Sequence, residues 1–355
     1  MDSFVLFTVA ALLAFLFTGP TIALAKRFSL VTDRATRSHP AHTHTGVVPR
    51  GGGVPIYLSF ALSTLLFVEF NAIIWGILIS SLLLVIMGLA DDFFDISAYV
   101  RFFGNLVISF LVVAFGLGIP YISNPLGAGV IHLDQWRIVI DVLGQHDYLI
   151  VGNLIAILWL TWTTNMVNWS KGVDGQLPGF VSIAAIFLGI LATRFSAHDI
   201  QSVTVMQLSF IVAGAYAGFL PYNFYPQRIM PGYGGGGLAG FWLGILAILS
   251  FGKIGTAILI LAIPMLDATY TIIRRIKNKQ SPFRADWGHF HHRLLEIGWG
   301  RRRIAVFYWS ISAILGFASL FLMGKEKLIA FVTIGIILLV FMLLINHIKK
   351  PNKNR

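Results

Sequence analysis

Apolar runs dominate the chain, and short polar stretches interrupt them at intervals close to the thickness of a bilayer. A spanning helix needs about 20 mostly apolar residues. About eleven runs meet or approach that length, near 3–24, 51–69, 71–90, 102–119, 149–169, 177–194, 203–222, 236–252, 254–273, 303–323 and 327–347. Backbone N–H and C=O groups find no water in the hydrocarbon core, so each run is predicted to be helical rather than extended. Between 120 and 148 the pattern changes. Ile131-His132-Leu133 and Trp136-Arg137-Ile138-Val139-Ile140 alternate after the turn-forming stretch Pro125–Gly129, which predicts a short hairpin acting as a structural lid. The predicted fold class is an all-α polytopic membrane protein, a single integral membrane domain over residues 1–355.

Composition agrees. Of the 355 residues 57% are hydrophobic and 12% charged, with a mean hydropathy of +0.80, more apolar surface than one soluble core can hide. The absence of cysteine excludes disulfides, thiolate metal sites and a cysteine nucleophile. Met1-Asp2-Ser3 offers no basic leader, so the first run reads as a membrane helix rather than a cleaved signal. The net charge of +11 fits basic loops facing anionic headgroups. No basic run is interleaved with stacking aromatics, so nucleic acid is not an expected partner.

Lys and Arg also set an orientation. With the N-terminus outside, all of the 26 basic residues except Arg137, Arg194, Lys253, Lys325 and Lys327 fall on the cytoplasmic side. The loop 25–50, the loop 274–302 and the C-terminal tail carry most of them. An odd helix count then places the C-terminus in the cytoplasm, and the expected location is the inner membrane.

Five polar groupings fall on that same side. Gly88-Leu89-Ala90-Asp91-Asp92-Phe93-Phe94-Asp95 ends the third run. Carboxylates leaving an apolar helix are costly, and at a helix C-terminus they oppose its dipole, which points to a purpose. Asp91 and Asp95 share a face if the helix continues, with Asp92 elsewhere; adjacent acids suit Mg²⁺ and phosphate chemistry. Asn165-Met166-Val167-Asn168-Trp169-Ser170-Lys171-Gly172-Val173-Asp174-Gly175-Gln176 follows the fifth run. Its two Asn can ligate a metal or bind a nucleotide, or simply cap a helix before a turn. Pro231-Gly232-Tyr233-Gly234-Gly235-Gly236-Gly237 precedes the eighth run, as an anion nest at a helix start or as a flexible entry loop. Ser281 to Leu295 holds His289, His291, His292 and Arg293; such a group can take zinc or a diphosphate, and the arginines suit the anion better. The loop from Asp33-Arg34 through Ser38-His39 to Pro49-Arg50-Gly51-Gly52-Gly53 is the weakest, with His42 and His44 read as solvent-exposed. A membrane enzyme using a cytosolic, phosphate-bearing substrate needs its polar groups on one face in this way.

Together these segments resemble the polyprenyl-phosphate N-acetylhexosamine-1-phosphate transferases, from about residue 33 to about 298. The most specific pieces are Gly88–Asp95 with Arg101, Pro264-Met265-Leu266-Asp267 with Arg274-Arg275, and Ser281–Leu295. The resemblance implies a bundle of ten or eleven helices with a cytoplasmic cleft, in which a lipid phosphate attacks the β-phosphate of a UDP-sugar and UMP leaves. It implies that Asp91 and Asp92 serve the lipid phosphate, one of them as proton acceptor, and that Asn168 helps hold Mg²⁺, with the two aspartates as further candidate ligands. Asp174 would orient the donor or a basic neighbour. His289, His291, His292 and Arg293 would grip the diphosphate, and Asp95, Arg101, Asn165, Tyr233, Gly234, Gly235 and Asp267 would line the substrate site. The partners implied are polyprenyl phosphate, a UDP-sugar and the lipid bilayer; a homodimer is compatible with the reading.

Two departures stand out. The family pattern Asn-x-x-Asn-x-x-Asp-Gly-x-Asp-Gly has Lys171 at its first Asp, and the pattern Gly-Asp-x-Gly-Ser has Tyr233 at its metal-binding Asp. One anion is lost and one cation gained, so Lys171 is expected to supply part of the charge that Mg²⁺ supplies elsewhere. The rival readings are a catalytically impaired relative that binds lipid phosphate or nucleotide sugar as a scaffold, and a transporter. Transporters carry ionisable residues at mid-membrane, and most of these runs have none there.

Overall fold

The computed structural model describes residues 2–33, 46–127, 129–141, 145–193, 200–250, 254–283 and 287–348. Arg34, Ser38, His39, His42, His44, Arg194, Lys253, Arg284, Ala285, Asp286 and the basic tail from Lys349 lie outside the described residues. The chain is mostly helical: α1 Ser3–Arg27, α2 Gly53–Phe67, α3 Ala72–Phe94, α4 Ala98–Ala114, α5 Ile150–Trp169, α6 Gln176–Thr193, α7 Ile200–Asn223, α8 Gly232–Leu249, α9 Ile254–Ile260, α10 Ala262–Lys277, α11 Phe290–Glu296, α12 Arg301–Ser319 and α13 Gly324–Ile348. Every predicted run coincides with a helix or, for the ninth, a helix pair. Among the described residues, seven helices are long and apolar enough to cross a membrane, or eight if the α9–α10 pair counts as one span. Helices α2 and α4 are shorter, and α12 opens on Arg301-Arg302-Arg303.

Among the described residues, three small antiparallel ladders interrupt the helices. Val31–Asp33 (β1) pairs with Val47–Pro49 (β2), Tyr121–Ser123 (β3) with Val130–His132 (β4), and Arg137–Asp141 (β5) with Gln145–Leu149 (β6). The expected single hairpin between 120 and 148 is thus two.

Helix α8 is the axis of the bundle. It packs against α2, α3, α5, α6, α7 and α9, and all 18 of its residues are buried, as a helix apolar on every side requires. The outer helices present lipid-type faces, such as Ile329, Ile336, Ile337, Leu343 and Leu344 on α13. Small residues bring α8 close to its neighbours. A Cβ on Gly88 of α3 would lie 2.4 Å from the backbone of Gly234, and one on Gly53 of α2 would lie 2.7 Å from Gly235 N. Backbones that approach this closely are a common way for membrane helices to associate. This corrects the glycine-nest expectation: Gly234 and Gly235 are buried in the first turns of α8, which begins four residues earlier than the predicted run, and they serve helix packing.

The ninth predicted run is also corrected. It breaks between α9 and α10 with a bend of 80°. Pro264 explains the position: its ring clashes with the carbonyl four residues back, which is that of Ile260, the last residue of α9. Beyond the break, α10 holds the buried Asp267, which bonds His289 and Phe290 of the following segment.

Candidate active site

Asp91 and Asp92 lie in the last turn of α3, and both are buried. Helix α3 stops at Phe94, and Asp95 caps it in the left-handed conformation (φ 51°) with its side chain exposed. The helix does not continue, so the shared face expected for Asp91 and Asp95 is not formed. Asp91 and Asp92, not Asp95, enter the interior.

Asp91 Oδ1 accepts from Arg101 Nη1 at 2.8 Å. Asp92 Oδ2 accepts from Gly51 N at 3.2 Å, its Oδ1 from Tyr233 N at 3.4 Å, and Arg50 Nη1 stands 3.8 Å from Oδ1. Gly232 makes this possible, since with φ at +67° a Cβ there would overlap Asp92 Oδ2. The Tyr233 hydroxyl accepts from Asn105 Nδ2 at 2.8 Å, and its ring lies 5.5 Å from the Arg101 guanidinium and 5.6 Å from Lys171 Nζ.

Lys171, in the turn between α5 and α6, donates from Nζ to Asn168 Oδ1 at 2.6 Å and to Gly232 O at 2.8 Å. Loss of hydration under the surrounding protein pushes its pKa down to about 8; Asp92 and Asp91 pull it up, and Arg101 and Arg50 push it down. It therefore remains an ammonium at neutral pH.

A second cluster forms where α10 meets α11. Asp267 accepts from His289 Nδ1 at 2.9 Å and from Phe290 N at 2.8 Å, anchoring the start of α11. Arg293 donates to Gly288 O and lies over the Tyr270 ring. Arg275 is buried, bonds Pro282 O and covers the Trp169 ring. His291 is parallel to His289 at 5.7 Å between centroids and 4.2 Å from His292. Burial, then the neighbouring His292 and His289, push its pKa well below the usual imidazole range. His291 is thus a neutral ring, and neither ring nitrogen has a partner among the described residues. The expected grip on a diphosphate can come from His291 only as a hydrogen bond, while the Arg293 guanidinium brings a fixed charge.

The α5–α6 turn joins the two clusters. Trp169 and Gly172 face the histidines: the Trp169 and His289 rings are 6.1 Å apart, and the His291 imidazole fills the space a Cβ on Gly172 would take. Lys171, between them, belongs to the aspartate cluster. Asp174 points to the other side of the turn. Its Oδ2 accepts from Gln227 N at 3.3 Å and lies 3.8 Å from Arg301 Nη1. Asn165 spends its amide on Thr161 O one turn back. Arg50 and Asn105 were absent from the expected site. The spacing of Arg101, Asn105 and Ser109, four apart along an otherwise apolar α4, marks a stripe facing the interior.

The donor set does not fit Mg²⁺. A divalent cation of this kind wants several oxygen ligands in octahedral array, carboxylates among them. Here the Asn168 oxygen is taken by an ammonium, and Tyr233 has no carboxylate. Asp91 and Asp92 face Arg50, Arg101 and Lys171, three cations to two carboxyl groups. Among the described residues no group of three or more His, Asp or Glu is placed to hold a metal ion.

The chain belongs to glycosyl transferase family 4, whose model matches residues 74–251, from α3 to the end of α8. It is 28% identical over 322 residues to a Bacillus subtilis (strain 168) protein named as a probable undecaprenyl-phosphate N-acetylglucosaminyl 1-phosphate transferase, covering 86% of this chain and 83% of that one. It is 27% identical over 341 residues to the decaprenyl-phosphate N-acetylglucosaminephosphotransferase of Mycolicibacterium smegmatis (87% and 79% covered). It is also 27% identical over 325 residues to the phospho-N-acetylmuramoyl-pentapeptide-transferase of Moorella thermoacetica (89% and 96% covered).

Proposed function

We propose that this chain transfers an N-acetylhexosamine 1-phosphate from a UDP-sugar to a polyprenyl phosphate, releasing UMP, in the assembly of lipid-linked envelope glycans. The observation that carries the reading is the meeting, at the α5–α6 turn, of two buried clusters rich in cations. A transfer between two phosphate-bearing molecules needs two such anion sites in contact, whereas a scaffold that binds one carrier needs only one.

In the reaction an oxygen of the lipid phosphate attacks the β-phosphorus of the donor. The new P–O bond replaces the bond to the bridging oxygen, which leaves with its electron pair on UMP. A phosphate monoester has its second pKa at about 6 and is largely dianionic at neutral pH. Two dianions then enter and two leave, with no net proton to remove, so Asp91 and Asp92 act by positioning Arg101, Arg50 and the Tyr233 backbone around the acceptor. His289, His292 and Arg293 hold the donor diphosphate with the neutral His291 beside them. Fixed positive charge around the phosphoryl oxygens supplies most of the catalysis in such transfers. The purified protein, given polyprenyl phosphate and a panel of UDP-sugars, should release UMP and form lipid-linked sugar in equal amounts. Nucleotide-sugar binding with no UMP from any donor would favour the scaffold.

The same reading takes all eleven runs as spans of the inner membrane, with the N-terminus outside and the C-terminus and both clusters on the cytoplasmic side. The natural absence of cysteine allows a direct check. A membrane-impermeant maleimide applied to intact cells should label Ser123→Cys and spare Gln280→Cys, both at exposed positions; the opposite pattern would invert the topology.

A further inference from the structure

We infer that this chain handles its nucleotide diphosphate without a divalent metal, the Lys171 ammonium holding the cation position beside Asn168, Gly232 and Tyr233. The inference rests on the proposed function and deepens it.

The first observation is what Lys171 touches. Two oxygens of the kind a hard cation takes, Asn168 Oδ1 and Gly232 O, lie 2.6 and 2.8 Å from Nζ. An ammonium has three N–H donors. Two are assigned among the described residues, which leaves one for an incoming phosphate oxygen.

The second is that the surroundings are built for a lysine. A Cβ on Gly236 would lie 2.2 Å from Asn168 Oδ1 and 3.1 Å from Lys171 Cδ. Gly236 falls where the family pattern places Ser, so Lys171, Tyr233 and Gly236 are three departures that fit one another. Tyr233 is likewise committed to neighbours other than a metal: its backbone N–H goes to Asp92, its hydroxyl to Asn105, and its ring to the space between Lys171 and Arg101.

The third is charge. Aspartates at positions 171 and 233 would set four carboxyl groups against Arg50 and Arg101, a balance that calls for a divalent cation before a diphosphate can enter. The chain as it stands sets two against three and attracts the anion unaided. A decayed site would show no such compensation, since random loss of a ligand does not supply a cation in hydrogen-bond contact with the remaining one.

The test is UDP binding by calorimetry on the full chain in detergent, in EDTA and in Mg²⁺, with UMP release measured in parallel. Affinity and release should agree within about twofold between the two buffers. Lys171→Met should weaken UDP binding in EDTA at least about tenfold, the scale of one charge-assisted hydrogen bond, and Lys171→Arg should restore most of it. Combining Lys171→Asp with Tyr233→Asp should make binding depend on added metal, visible also as Mn²⁺ bound in electron paramagnetic resonance. Wild-type protein that binds and transfers only with Mg²⁺ overturns the inference and leaves the proposed function standing; that comparison needs no variant to fold. Lys171→Met protein that binds UDP like the wild type overturns it as well. A wild-type chain that neither binds UDP nor releases UMP in either buffer fails the proposed function itself.

Discussion

Replacing Asp92 with Asn is expected to lower the transfer rate by on the order of 10²-fold or more, and to lower the melting temperature of the ligand-free protein. Asn matches Asp in shape, so the effect comes from what its two terminal atoms can do. Both oxygens of Asp92 accept from backbone N–H groups, one from Gly51 ahead of α2 and one from Tyr233 at the start of α8. An Asn has one acceptor oxygen. Its NH₂ must face one of those N–H groups, leaving a buried donor unmatched at a cost of about 1–3 kcal/mol. The negative charge that faces Arg50 is lost as well, and breaking a buried ion pair costs about 3–5 kcal/mol. Each 1.36 kcal/mol lost from the transition state is about a tenfold rate, so a share of these terms reaching the reaction suffices. Steady-state kinetics with a thermal melt on the same preparation will decide. Unchanged kcat would mean that Asp92 does not hold the acceptor side of the site together.

The helices were the most legible part of the chain, because apolar length is a direct demand of the bilayer and survives any choice of packing. What the pattern hid was whatever depends on the third dimension. Hydropathy averages across Pro264, so one run was predicted where the chain turns by 80°. Glycines 232 and 234–237 look the same in sequence whether they cradle an anion or admit a neighbouring backbone, and Gly88 and Gly53 opposite them decide it. Asp95 looked equivalent to Asp91 because the end of α3 at Phe94 has no proline or glycine to announce it. The candidate site was legible through chemistry that is expensive in a membrane: Asp91, Asp92, Lys171 and the histidines have no cheap reason to sit there. Arg50 escaped because one arginine in a basic loop carries little information. Asn105 could have been found from its fourfold spacing to Arg101 and Ser109. The partner of Asp174 could not, since Arg301 lies 127 positions away in the chain and only packing brings it near.

Gly172→Ala is expected to be the more informative single substitution, because it moves the donor side of the site while removing no functional group. The added Cβ would lie 1.9 Å from His291 Nε2, far inside contact distance. The imidazole has nowhere to go: it is buried, lies against His289 and crowds His292. Either the ring shifts and takes the other histidines with it, or the turn carrying Lys171 backs away from α11. Both outcomes displace charged groups relative to each other by about an ångström, a misplacement that can cost on the order of 10²-fold in rate. Overpacking of this kind also costs about 1–3 kcal/mol of stability, so the protein should still fold. The expected signature is a kcat reduced about a hundredfold in protein that elutes and melts nearly as the wild type does. Pairing the change with His291→Ala, which vacates the clashing volume, separates the two causes. Activity of the pair above that of Gly172→Ala alone would show that steric displacement carried the loss. Wild-type activity in Gly172→Ala itself would mean that the α5–α6 turn and the histidine segment do not act as one site.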